Sequence, residues 1–159
     1  MLSKSHPIDC QPNAPLSALS KDNIFKLFFF DIGLLGHLLG LTYKEHLDQS
    51  FNYKGFIAEN FVQNERIAIG INPSYSWEYA RSEIECLEKL DDGEIIPIEV
   101  KSGKRTRAKS LMVYKQRYNP SITIKLVGTQ GSIEDRNNLV LPIYYAAKLA
   151  NFYQQTNTE

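Results

Sequence analysis

Two glutamates and a lysine have the types and spacing that suggest chemistry. Glu99 and Lys101 stand two apart in the apolar segment Glu94-Ile95-Ile96-Pro97-Ile98-Glu99-Val100-Lys101. On a strand, side chains two apart leave the same face, so carboxylate and ammonium share one surface while Ile98 and Val100 take the other. The alternating segment Glu83-Ile84-Glu85-Cys86-Leu87-Glu88 precedes them, separated by the turn Asp91-Asp92-Gly93. A three-residue turn with Gly93 in the left-handed position sets residue 90 opposite 94. That register brings Glu85 opposite Glu99 and Glu83 opposite Lys101. A turn one residue shorter would send Glu85 to the other face.

Facing carboxylates repel, and a hard divalent cation between them relieves the repulsion. Mg2+ or Mn2+ is the expected cofactor, held by Glu85, Glu99 and the Val100 carbonyl. Lys101 beside it would orient or help deprotonate a metal-bound water and stabilise the extra charge on a phosphate under attack. The plain alternative is a solvent-exposed ion pair on a strand.

Local charge adds a possible substrate surface. Between residues 101 and 117 stand seven basic residues and no acid: Lys101, Lys104, Arg105, Arg107, Lys109, Lys115 and Arg117. Between residues 78 and 99, eight acids outnumber two bases, so an acidic cluster adjoins a basic one. The basic residues after Lys101 are the candidate nucleic-acid contacts, since backbone phosphates are bound chiefly through Lys and Arg. Over the whole chain the 18 basic and 18 acidic residues cancel, which excludes a globally basic coat.

The elements needed to position these groups follow from periodicity. Phe25 to Phe30 is strand-like, and Asp31 is placed to cap a helix through Leu34, Leu35, Leu38 and Leu39 that Gly40 ends. From Tyr53 to Arg66 an apolar stripe of Phe56, Ile57, Phe61 and Val62 predicts a helix with Glu59 at its edge. Pro97 lacks an amide and argues for an edge, a bulge or a late start to pairing, yet the segment around it still reads as a strand. Ser110 can cap a helix over residues 111–118, stopped by Asn119-Pro120. Ile122, Ile124 and Leu126 alternate as a further strand, and Leu139-Val140-Leu141 is a short one before Pro142, which can open a last helix. The order is that of an α/β domain. Residues 1–20 hold three of the seven prolines among Ser, Asn and Gln, and are expected to be a flexible linker or tail.

These motifs resemble a known family. Phe25 to Leu35 (FKLFFFDIGLL), Gly55 to Val62 (GFIAENFV), Glu83-Ile84-Glu85, Ile95 to Gly103 (IIPIEVKSG) with Lys109-Ser110-Leu111, and Leu141-Pro142-Ile143-Tyr144 resemble the carboxy-terminal domain of unknown function in bacterial and archaeal AAA+ ATPase-like proteins. That domain is similar to the PD-(D/E)xK nuclease-like superfamily. The resemblance implies a restriction-endonuclease-like mixed β-sheet flanked by helices in residues 51–159, with a helical amino-terminal part over residues 21–50. It also implies that Glu85 is the first acid of the motif, Glu99 and Lys101 its ExK, and Glu59 the acid on the preceding helix. The family usually has Asp where this chain has Glu85, which lengthens the reach of that carboxylate by one methylene.

The expected function is Mg2+-dependent hydrolysis of DNA, with a catalytically inactive module that binds DNA or a protein partner as the alternative. No GxxxxGK[ST] phosphate loop occurs, so ATP hydrolysis is not expected from this chain. An ATPase domain on another chain and a second copy are the candidate partners. Only two cysteines, Cys10 and Cys86, occur, without ligand spacing, and no apolar run is long enough to cross a bilayer; a cytoplasmic protein without membrane contact is expected.

Overall fold

A computed structural model describes residues 2–48, 53–103, 108–135 and 137–149. It is a mixed α/β arrangement whose strands divide between two sheets, where one was expected. The first sheet runs β2-β1-β3-β4, built from β1 (Leu2–Ile8), β2 (Lys26–Phe29), β3 (Ser74–Tyr79) and β4 (Ser82–Ile84). The second runs β5-β6-β7-β9-β8, from β5 (Cys86–Lys89), β6 (Ile95–Lys101), β7 (Thr123–Val127), β8 (Ser132–Asp135) and β9 (Asn138–Pro142). The helices are α1 (Ile32–Leu38), α2 (Tyr43–Leu47), α3 (Lys54–Ala68) and α4 (Lys109–Tyr118), with a 3-10 helix over Ile143–Lys148. None of the helices among the described residues is long and apolar enough to cross a membrane.

The expected amino-terminal tail is a strand. β1 lies inside the first sheet, antiparallel to β2 (Leu2 opposite Phe29) and parallel to β3 (Ser5 opposite Ser74), with Ile8 fully buried. Composition misled here, because a polar strand gains its ladder from partners far along the chain. Pro7 is tolerated, since pairing with β2 ends at Ser5 and the missing amide has no antiparallel partner to fail. The amino-terminal part is thus two strands followed by two short helices, not a helical extension. Asp31 does cap α1, its carboxylate accepting from the Leu34 amide at 2.7 Å.

The turn before β6 takes the expected form. The Leu90 amide donates to the Glu94 carbonyl at 2.8 Å, and Gly93 adopts φ of 91°, where a Cβ would be strained. Lys89 therefore pairs with Ile95 and Cys86 with Ile98. Pro97 sits where its missing amide does least harm, because the parallel ladder to β7 starts one residue later at Ile98–Ile124.

At Glu85 the chain changes sheets. Ile84 still pairs with Trp77 in the first sheet, and Cys86 begins the ladder of the second. Two cores result. Ala58, Val62, Ile96, Ile98, Val100, Ile124 and Leu126 fill the space between α3 and the second sheet, while Ile8, Trp77, Ile84, Leu87, Ile95 and Tyr114 pack the first sheet against α4.

Candidate functional site: four glutamates and three lysines

The end of β6 carries the first pair. The Lys101 Nζ lies 2.8 Å from Glu99 Oε1 and 3.6 Å from Glu85 Oε1, so one ammonium bridges the two carboxylates. Glu85 reaches them from the corner between the sheets. With its backbone outside both ladders, its side chain takes the place of a ladder acceptor, and Oε2 accepts from the Val100 amide at 2.9 Å. Val100 thus offers this carboxylate its N–H, a contact that the expectation of a Val100 carbonyl ligand did not include. Gly128 closes the strand end: its amide donates to the Lys101 carbonyl at 3.0 Å, and a Cβ there would sit 2.6 Å from the Ser102 carbonyl oxygen.

Glu99 is only 1% exposed, and its Oε2 has no hydrogen-bond partner among the described residues. Burial pushes its pKa up, the hydrogen bond from Lys101 pulls it partly back, and the nearby Glu85 carboxylate pushes it up again. Lys101 loses by desolvation but gains more from Glu85 and Glu99, and its pKa ends above the ordinary lysine value. Both shifts express the same proximity.

Glu59 reaches this group from α3. Its pKa is raised, first by burial and further by Glu85, with Lys26 and Lys101 opposing. Glu59 thus lies within electrostatic reach of Glu85 and Lys101, while Lys101 directly contacts Glu85 and Glu99. Glu83 does not stand opposite Lys101 as the continued register required. It pairs with Glu78 in the first sheet, because the ladder of the second stops at Cys86.

Two lysines of the site escaped the sequence reading. Lys26 on β2 contacts Glu83 Oε1 and lies 3.7 Å from Glu59 Oε2. Lys125 on β7 pairs directly with Glu99 across the parallel ladder and is buried. A cation inside each of two apolar strand segments was the available signal, since such residues are seldom buried without a counter-charge.

The basic run is divided. Lys104, Arg105 and Arg107 lie outside the described residues. Lys109 opens α4 beside Ser110, which does not cap the helix; its hydroxyl instead accepts from the Glu83 amide at 3.2 Å. Lys115 and Arg117 stand about two turns further along. There Lys115 donates to Asn138 at 2.6 Å, and the Arg117 guanidinium lies 3.8 Å from the Tyr79 ring centroid. Cys86, beside the site, is no nucleophile, as burial pushes its thiol up to about 11.

Among the described residues no three acidic, histidine or cysteine side chains converge closely enough to hold a metal ion. A two-carboxylate site remains chemically reasonable for Mg2+, which often takes no more from a protein. The unpartnered buried oxygen of Glu99 fits such a cation.

No curated protein and no solved structure matches the chain. A family model does, over residues 54–146, a stretch that holds Glu59, Glu85, Glu99 and Lys101. The chain belongs to the family described as Domain of unknown function (DUF4143).

Proposed function

We propose that this chain is a PD-(D/E)xK nuclease-like domain, associated with an AAA+ ATPase-like protein, that hydrolyses DNA phosphodiester bonds with the help of Mg2+. The observation that carries the reading is the Lys101 ammonium between Glu85 and Glu99, next to the unpartnered Glu99 oxygen. Glu85 and Glu99 would hold the cation, which supplies charge neutralisation at a phosphate and a more acidic water. Lys101 keeps its proton, orients the attacking water by hydrogen bonding and offsets charge gathering on the phosphoryl oxygens. Glu59 accepts a proton from the edge of the group, its raised pKa bringing it closer to neutral pH. Lys109, at the open end of α4, contacts the phosphate backbone.

A second reading has its own support. Three of the four carboxylate oxygens of Glu85 and Glu99 already face the Val100 amide or the Lys101 ammonium. A cluster whose oxygens are already occupied in this way suits a silent module that binds DNA or a protein partner. Cleavage of supercoiled and single-stranded DNA with Mg2+ or Mn2+, together with calorimetric titration of Mn2+, separates the two. The nuclease reading expects metal-dependent nicking that falls about a hundredfold or more in Lys101→Ala and Glu99→Gln. Absence of both cleavage and Mn2+ binding in the wild-type protein would leave the silent module.

A further inference from the structure

Lys26 comes from outside the segment matched by the family model, yet its ammonium enters the acidic group. Its strand is delivered there by two attachments. β1 pairs along it, with Ser5 opposite Lys26. At its other end the buried Asn60 side chain takes both backbone groups of Phe29: the Phe29 amide donates to Asn60 Oδ1 and Asn60 Nδ2 donates to the Phe29 carbonyl, each at 2.7 Å. Asn60 adjoins Glu59 on α3, so the residue that anchors β2 also fixes the distance from Lys26 to Glu59.

We propose that Lys26 is a positioning residue of the acidic site: its ammonium holds Glu59 of α3 and Glu83 of β4 on one cation beside Glu85. The two glutamates belong to elements that share no ladder, and without a common counter-ion their carboxylates would repel each other and Glu85. Glu83 also lies two residues before the point where the chain changes sheets, so tethering it restrains the corner that carries Glu85. Lys26 does for Glu59 and Glu83 what Lys101 does for Glu85 and Glu99. The effect on reaction rests on the nuclease reading above; the effect on the carboxylates does not.

The test compares wild type, Lys26→Met and Lys26→Arg in the whole chain. Side-chain carboxyl signals are read by carbon-13 NMR on metal-free protein, and Mn2+ affinity and DNA cleavage are measured separately. Lys26→Met is expected to move the Glu59 and Glu83 signals and leave Glu88 in place, and Lys26→Arg to restore them. Mn2+ affinity or cleavage should fall about tenfold or more in Lys26→Met, as for loss of an outer-sphere partner, and recover in Lys26→Arg. Unmoved Glu59 and Glu83 signals overturn the proposal, as do moved signals with unaltered Mn2+ affinity and cleavage in an active protein. If the wild type neither binds Mn2+ nor cleaves DNA, the nuclease reading fails, and Lys26 is judged on the carboxyl signals alone.

Discussion

Two ionic groups of this molecule both set carboxylates against cations, and they differ in how many partners each cation serves. On α3, Arg66 is fully buried; its Nη1 donates to Glu88 Oε2 at 2.6 Å and its Nη2 to the Leu87 carbonyl at 3.2 Å. One cation meets one carboxylate and one backbone oxygen, and the planar guanidinium forks across both. In the other group, Lys26 lies between Glu59 and Glu83 and Lys101 between Glu85 and Glu99, both lysines are partly exposed, and a buried oxygen of Glu99 goes without a partner among the described residues. A matched pair ties helix to sheet. A lysine that serves two carboxylates, beside a buried oxygen still open, leaves a place for an added ligand, which makes this group the better candidate for chemistry.

The contrast can be broken most forcefully at Arg66. Arg66→Ala strands Glu88 in a largely buried place, and urea unfolding should show a loss of about 3–5 kcal/mol. Lys101→Ala removes an ammonium about a third exposed, and Glu99, whose pKa is already raised, can take up a proton in its absence, so it should cost less stability; on the nuclease reading cleavage falls about a hundredfold or more. Equal losses in the two variants would erase the distinction. Asn60→Ala comes next. It removes two hydrogen bonds to the Phe29 backbone, and a loss of about 2 kcal/mol is expected, visible in the same unfolding curves. The smallest effect is the most diagnostic. Because the folded-state pKa of Glu99 lies above the ordinary 4.5, the folded protein holds more protons than the unfolded chain once the pH exceeds that value. Stability should therefore decline as pH rises through the window between 4.5 and the raised folded value, and Glu99→Gln should flatten that decline. A variant whose stability follows pH as steeply as the wild type would show that Glu99 bears no such strain.

Much of the site was legible because its determinants are local. Gly93 and the two aspartates specify the turn, the turn specifies the register as far as Cys86 opposite Ile98, and Glu85, one residue beyond that ladder, reaches Lys101 and the Val100 amide through its side chain. The end of that ladder was not legible: alternation continues smoothly through Glu83-Ile84-Glu85-Cys86, and nothing in the pattern says that residues 82–84 pair with β3 while residues 86–89 pair with β6. β1 was missed for a related reason. Its polar residues gain their place from β2 and β3, more than 20 and 60 residues away, and burial of Ser5 and Ile8 depends on those partners. Lys26 shared that fate, since its partners Glu59 and Glu83 are remote in sequence.

The sheet change at Glu85 has a mechanical consequence. Position 85 is carried by the seam while position 99 is embedded in the second layer, so the gap between their acid groups is set by how the two layers are tilted. Any load that levered one layer away from the other would act on the hydrogen bond from the Val100 amide to the Glu85 carboxylate, which ties the seam to the second layer.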